Sequence, residues 1–218
     1  MSSVTIRVPP RFVALLAVVA ATAFSGCGSS DSSSSDSAKK ANAIDRAFVQ
    51  EMIPHHEMAV EMSKPAEKSG QHSEIKSLAA SISSSQRDQI AEMRTVAQTL
   101  GVKPDKMPMG GAMAHGMGAM DRNATKLGIA MDQMGMMMDM SSLDHAKPFD
   151  RKFIDLMIPH HAGAIRMARA ELAKGANPKL RRLANEIIAA QVKEIQKMNS
   201  WRTRWFGQPS PAGGVPKA

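Results

Sequence analysis

The feature that most constrains the fold of this chain is an internal duplication of about 50 residues. When residues 45–94 are aligned without a gap on residues 150–199, 17 of the 50 positions are identical, whereas ordinary residue frequencies give about three by chance. The identical positions of the first copy are Asp45, Arg46, Phe48, Met52, Ile53, Pro54, His55, His56, Ala59, Met62, Gly70, Leu78, Ala79, Ile82, Gln86, Ile90 and Met93. Because each of them recurs 105 residues later, the two halves are expected to fold in the same way.

Both copies have the apolar spacing of a pair of amphipathic helices. In residues 44–69 the retained positions fall within about 120° of one another around a helix. A second helix is predicted over residues 73–100, where apolar residues recur at spacings of three and four. Its counterpart should begin with Asn177 as the N-cap and Pro178 in the first helical position. Since no stretch alternates with period two, we predict an all-α protein, a four-helix bundle built from an internally duplicated helical hairpin.

The first 43 residues have the composition of a targeting segment followed by a tether. Two arginines precede an apolar run at residues 12–24, which is too short to span a membrane but has the length of a signal-peptide core. We therefore predict a signal peptide over residues 1–26 and lipidation of Cys27. The alternative is ordinary cleavage that leaves a free thiol. Residues 27–43 are rich in Ser and Asp and are predicted to form a flexible tether, which holds the protein at the cell membrane on its extracytoplasmic side, in the periplasm or at the cell surface.

The remaining chain has the length of one domain, which we place at residues 44–206. The first copy occupies about residues 45–100 and the second about residues 149–206. Residues 101–148 form a connector that is rich in Met and Gly. Residues 207–218 are predicted to be a disordered tail.

Each copy has the sequence Met-Ile-Pro-His-His inside its first helix. A proline in a helix interior costs about 3 kcal/mol or more, so Pro54 and Pro159 predict a kink that either curves the helix around the bundle or re-aims the histidines. A buried imidazole needs partners for both ring nitrogens, and a metal ion is one such partner. We predict that the metal ligands are the two histidine pairs and the methionines on the same faces: His55, His56, Met52, Met62, His160, His161, Met157 and Met167. The alternative is a structural or interaction bundle whose histidines form a hydrogen-bond network without metal.

The types of donor atom narrow the identity of the metal. Thioether and imidazole without thiolate suit Cu(I), with Ag(I) as its mimic and Cu(II) as a second state that depends more on imidazole. Gln86 and Gln191 are polar residues on otherwise apolar faces, and we predict that they hydrogen-bond the ligating histidines. Glu51 corresponds to Leu156 in the second copy, so the repeated carboxylates of a di-iron site are missing.

The connector contains 11 of the 19 methionines, between Met107 and Met140. We expect its Gly-rich part to lack regular structure and residues 131–140 to form a short helix. The predicted auxiliary copper ligands are Met107, Met109, Met113, His115, Met117 and Met120. Two alternatives are that these methionines fill gaps under a loop or absorb oxidants.

Composition argues against several other classes of function. A single cysteine excludes a disulfide framework, and the chain has neither a Gly-rich phosphate loop nor a CxxCH haem motif. The net charge is +8 and aromatic residues make up 4% of the chain, but the basic residues are scattered along helical faces, which is not typical of nucleic-acid binding. We expect no enzyme activity, no organic cofactor and no nucleic acid, and copper ions and the membrane as partners.

The doubled motif also resembles a known family. The stretches FVQEMIPHHEMAVEM and FDRKFIDLMIPHHAGAIRMA are similar to the domain of unknown function 305, over roughly residues 44–206. The resemblance implies a ferritin-like bundle, export or membrane tethering in bacteria and, in some members, copper binding and tolerance. It implies the same eight His and Met ligands. Gln89 is a departure, because the family tends to have Glu there, as at Glu194. The sequence thus predicts a tethered, non-catalytic protein that sequesters or transfers copper.

Overall fold

The computed structural model describes residues 41–104 and 113–217, and within these ranges the chain is helical and has no strand. The predicted signal peptide, Cys27 and nearly all of the tether lie outside the described residues. The α-helices are α1 (Ala43–Ser69), α2 (Ser73–Thr99), α3 (Met113–Leu127), α4 (Phe149–Lys174) and α5 (Pro178–Phe206), and two short 3₁₀ helices span Met131–Met134 and Met140–Leu143. The prediction of an all-helical fold is confirmed. No helix in the described ranges is long and apolar enough to cross a membrane.

The four long helices form two hairpins related by the duplication. α1 packs against α2, and α4 packs against α5. The hairpins meet chiefly through α1 and α4, while α2 and α5 touch each other more lightly. Both first helices run through their central proline without interruption, Pro54 in α1 and Pro159 in α4. The two helices with the histidine motif therefore lie side by side in the middle of the bundle.

A buried aspartate in each hairpin caps the second helix of the other hairpin. The Asp45 carboxylate of α1 accepts hydrogen bonds from both backbone N–H groups of residues 176–177, just before α5. The Asp150 carboxylate of α4 accepts from both N–H groups of residues 71–72, just before α2. Both carboxylates are completely buried. A negative charge at a helix N-terminus is favourable, so the retained aspartate joins the hairpins reciprocally.

The core is divided into two clusters along α1 and α4. One cluster contains Met52 of α1 and Met167 of α4, and the other contains Met62 of α1 and Met157 of α4. The two histidines of each helix lie between these two sets of residues and are fully buried. The two helices are thus antiparallel across the histidines.

Parts of the connector belong to the core, and α3 contradicts the expectation that the Gly-rich part up to Met120 lacks regular structure. Met120 is buried in the same cluster as α1 residues. Met134 and Met136 are also buried there, within a segment of residues 131–136 that we call the strap, which packs on α4. Flexible Met side chains fill irregular gaps, and their spacing along the chain therefore carries no clear helical or strand signal.

Residues 207–217 also differ from the expected disordered tail. Arg169 of α4 donates hydrogen bonds to the backbone carbonyls of residues 216–217 at 2.8 and 2.7 Å. The Asn199 side chain of α5 donates to the carbonyl of Gly213 at 2.9 Å. The segment is held by polar side chains of other elements, which its own composition does not reveal.

Candidate metal centre

The two histidine pairs come together at the contact between α1 and α4. The rings of His55 and His160 stack with their centroids 3.7 Å apart and their planes 16° from parallel. His56 lies 6.2 Å from His55, and His161 lies 6.4 Å from His160, measured between ring centroids. All four side chains are fully buried. We call these four residues the histidine centre.

The strap supplies two backbone carbonyls to the stacked pair. The carbonyl oxygen of Met134 lies 3.1 Å from Nε2 of His55, and that of Gly135 lies 2.8 Å from Nδ1 of His160. Gly135 has φ of 73°, a conformation that favours glycine. A Cβ on Gly163 would lie 1.9 Å from the Met134 oxygen. Both glycines are therefore needed for the strap to lie against α4.

His160 has both ring nitrogens in contact with backbone carbonyls. Besides the strap contact, its Nε2 lies 3.0 Å from the carbonyl oxygen of His55. Burial, followed by the charge of His161, lowers the pKa of His160 to about 3, so the ring is neutral at pH 7 and has a single N–H to donate. Since neither nitrogen faces free space, His160 links α1 to the strap and is the least available metal ligand of the four.

The other three histidines each have one nitrogen in a polar contact and one without. Nε2 of His56 lies 2.8 Å from Oε1 of Gln89. Nε2 of His161 lies 2.8 Å from Oε2 of Glu194, an ion-pair distance without the alignment of a hydrogen bond. The Nδ1 atoms of His55, His56 and His161 are buried and have no hydrogen-bond partner. Leaving such a nitrogen unpaired costs free energy, and a metal ion would remove that cost.

The Nδ1 atoms of His55 and His56 are in the form that binds metal. Burial lowers the pKa of His56 to about 4, partly offset by the Gln89 hydrogen bond. Burial and then the neighbouring His160 lower the pKa of His55 well below its ordinary value. Because a metal binds the unprotonated nitrogen, no proton competes for these sites at neutral pH.

The predicted thioether ligands flank the histidine centre on both sides. Met52 and Met167 lie in one core cluster, and Met62 and Met157 lie in the other. Among residues 41–104 and 113–217, no three His, Cys, Asp or Glu side chains form a ready-made metal cage. A bound ion would therefore draw on thioethers or on a small movement of the rings.

A family model described as "Domain of unknown function (DUF305)" matches residues 45–202. The chain belongs to the DUF305 family. The resemblance drawn from the doubled motif is thereby confirmed.

Similar solved structures include copper-bound proteins. A structure of CopM in the Cu(II)-bound form is 34% identical, covers 74% of this chain and 97% of that chain, and has a TM-score of 0.60. CopM in the Cu(I)-bound form is 30% identical, covers 75% of this chain and 98% of that one, and has a TM-score of 0.59. A DUF305 fragment from Deinococcus radiodurans is 29% identical over 75% of this chain and 98% of its own, with a TM-score of 0.57.

A curated relative matches a shorter part of the chain. The uncharacterized protein L153 of Acanthamoeba polyphaga mimivirus is 39% identical over 51 residues, which are 23% of this chain and 34% of that protein. The chain thus spans about a third of the length of this relative, and the match assigns no activity.

In this DUF305 protein the histidines contact different polar residues from those predicted. Gln86 and Gln191 are buried, but Oε1 of Gln86 and both polar side-chain atoms of Gln191 have no hydrogen-bond partner. The contacts are made instead by Gln89 and Glu194, one helical turn further along. Residues three apart share a helix face, so periodicity alone does not tell which of them is level with the histidines.

The auxiliary ligands predicted in the connector fall into two groups. Four have side chains outside the described part of the structure: Met107, Met109, Met113 and His115. Met117 is half-buried on α3, and Met120 is buried in the core beside Ala124 and Leu127. Met120 therefore has a packing role, because its side chain faces the bundle.

Proposed function

We propose that this DUF305 protein is a non-catalytic copper-binding protein that holds or passes on the ion through the histidine centre. The observation that carries the proposal is the set of three buried Nδ1 atoms without hydrogen-bond partners, on His55, His56 and His161. A purely structural histidine network would leave fewer nitrogens unpaired. The likeness to CopM, solved with Cu(I) and with Cu(II) bound, supports copper as the ion.

The chemistry of the donor atoms favours Cu(I) and accommodates Cu(II). The imidazoles lie between two groups of buried thioethers, and soft thioether ligands favour Cu(I). Cu(II) would depend more on the imidazoles. Copper is the cargo of the protein in this proposal, and the protein contributes a buried site.

A competition titration with Cu(I) against a chromogenic chelator tests the proposal. We expect that replacing His55 and His56 together by Ala abolishes most tight binding, and that replacing His160 and His161 as well adds little, because ligands of one centre are coupled. The control is His145→Ala, which removes an exposed histidine and should leave binding unchanged. Helical circular dichroism verifies that each variant is folded.

Two results would contradict this proposal in different ways. Half the stoichiometry at unchanged affinity after loss of the first pair would mean two independent sites. Full binding after loss of all four histidines would assign them to a hydrogen-bond network.

We also propose that the protein is exported and anchored through Cys27, in the cell envelope where it would meet copper. The support is the apolar run at residues 12–24 before this single cysteine, and the Ser-rich segment that follows. Cys27→Ser should move the protein out of the membrane fraction and remove the lipid mass. If the variant were recovered equally in the membrane fraction and its mass did not change, the protein would not be anchored through Cys27.

A further inference from the structure

The matched histidines of the two halves contact different side chains. His56 faces the amide of Gln89, and His161 faces the carboxylate of Glu194. We propose that Glu194 is a positioning residue that makes His161 a stronger copper ligand than His56 within the shared centre. This inference rests on the proposed function and states which nitrogen of the same centre dominates.

The duplication provides an internal control for this comparison. His56 and His161 occupy matched positions, as do Gln89 and Glu194. Both histidines are fully buried, both have Nδ1 without a partner, and both have Nε2 at 2.8 Å from a side-chain oxygen. The chemical difference within these two contacts is an amide in one and a carboxylate in the other.

A carboxylate acts on an imidazole ligand in two ways that an amide does not. Its negative charge, 2.8 Å from Nε2, polarises the ring and so increases electron donation from Nδ1 to a metal. It also supplies a negative charge that offsets the positive charge a copper ion brings into a buried place. Loss of such a partner typically lowers metal affinity about 10- to 100-fold.

The position of Glu194 is suited to this role. Its side chain is 14% exposed, so water screens its charge only weakly. In the described part of the chain, Glu194 forms no ion pair other than that with His161. Its charge is therefore directed to the ring rather than shared with a surface Lys or Arg.

The charge of Glu194 should also change the relative stability of bound Cu(I) and Cu(II). Cu(II) carries one more positive charge than Cu(I), so a nearby carboxylate stabilises Cu(II) more. Removing that charge should raise the reduction potential of the bound copper. A residue that only supported the fold would not shift the potential in a set direction.

The test uses the full chain and exchanges the two partners. Glu194→Gln gives both halves an amide and should weaken the tightest Cu(I) binding about 10- to 100-fold. The double variant Gln89→Glu with Glu194→Gln should restore that affinity. Glu186→Gln, at a surface position of the same helix where the glutamate pairs with Arg182, is the matched control and should change nothing.

The stronger ligand of the centre should change with the carboxylate. In the natural chain His161→Ala should weaken the tightest binding more than His56→Ala does, and in the exchanged variant this order should be reversed. Nitrogen NMR of ¹⁵N-labelled histidine, with Ag(I) as a diamagnetic probe, gives a second measurement without any variant. The first equivalent should shift Nδ1 of both rings, and Nδ1 of His161 by the larger amount.

The possible outcomes separate this inference from the proposed function. If Ag(I) shifts Nδ1 of the two rings by equal amounts, or if Glu194→Gln binds as tightly as the natural chain with an unchanged potential, the inference is overturned while copper binding stands. If the natural chain binds neither ion at the histidines, the proposed function fails. If a variant does not fold, the relative size of the two NMR shifts in the natural chain decides alone.

Discussion

The hairpin α1–α2 and the hairpin α4–α5 share the duplicated sequence, but their histidines make different contacts. Each uses its buried aspartate to cap the other, and each places its histidine pair at the contact between α1 and α4. Four matched positions hold different residues in the two halves: Met58 and Gly163, Ala66 and Glu171, His72 and Asn177, and Gln89 and Glu194. The comparison teaches that the shared positions build the bundle, whereas the differing positions fit the second half to the strap and give it additional carboxyl groups.

Giving α4 a side chain where the strap crosses it should have the largest effect on stability. Gly163→Ala places a Cβ 1.9 Å from the carbonyl oxygen of Met134, so the strap must move away from the histidine centre. We expect a loss of about 1–3 kcal/mol in the free energy of unfolding, measured in urea.

The matched control for this change is Gly118→Ala on α3. The nearest atom to a Cβ there is a side-chain nitrogen at 3.5 Å, so the substitution should stabilise the helix by about 0.5–1 kcal/mol. If the two variants behaved alike, the strap would not depend on Gly163.

Removing the charge of each capping aspartate should show whether the two caps contribute equally to stability. Asp150→Asn weakens three contacts, to two backbone N–H groups and to the His72 ring, and should cost about 1–2 kcal/mol. Asp45→Asn should cost more, because Asp45 accepts from the backbone N–H groups of Asn42, Ala176 and Asn177 and also faces the protonated carboxyl of Glu171. Asp88→Asn, at an exposed position of α2, should change stability by less than about 0.5 kcal/mol. Equal costs at Asp45 and Asp150 would show that Glu171 does not distinguish the two ends.

The buried Glu171, where the first half has Ala66, should make stability depend on pH. Burial, then the hydrogen bond that a protonated Glu171 donates to Asp45 and the charge of Asp45, raise the pKa of Glu171 from 4.5 to about 9. The folded protein therefore holds a proton that the unfolded chain releases, so stability is full below about pH 4.5 and is lost progressively as the pH rises towards 9.

Glu171→Gln should remove this dependence. As the pH rises, the free energy of unfolding of the variant should exceed that of the natural chain, by on the order of 1 kcal/mol at pH 7. Near pH 4 the two values should differ little. Urea unfolding between pH 4 and pH 7 measures this difference in stability. A difference that did not change with pH would mean that the Glu171 carboxyl is ionised in the folded state.

The smallest expected effect on stability comes from a substitution that makes the start of α2 like the start of α5. His72 stacks on Trp205 at 3.7 Å and has no side-chain capping bond, whereas Asn177 caps α5. His72→Asn should gain a cap and lose both the stack and the contact of the ring with Asp150, with a net change in the free energy of unfolding within about 1 kcal/mol. Tryptophan fluorescence should change even so, and an unaltered spectrum would mean that the ring does not rest on Trp205 in solution.

Much of the fold followed from local pattern. The spacing of apolar residues placed α1 and α2 within a residue or two of their ends, and Asn177 with Pro178 begins α5 as predicted. The core roles of Met120 and the strap were missed, because flexible Met side chains pack without a regular spacing. The retained Asp45 and Asp150 were visible as an identity, but their partners lie in the other hairpin.

For the site, the sequence determined that four histidines would be buried on two equivalent helix faces, since helical periodicity and the duplication are both local properties of the chain. Only the tertiary structure decided what each ring nitrogen touches. His55 meets a carbonyl 79 positions away, and His56 meets Gln89 rather than Gln86. Such contacts depend on how separate elements dock, and a shift of one helical turn or one ring rotation changes them without altering the sequence pattern. The difference between His160, with both nitrogens against carbonyls, and the other three histidines therefore arises from packing alone.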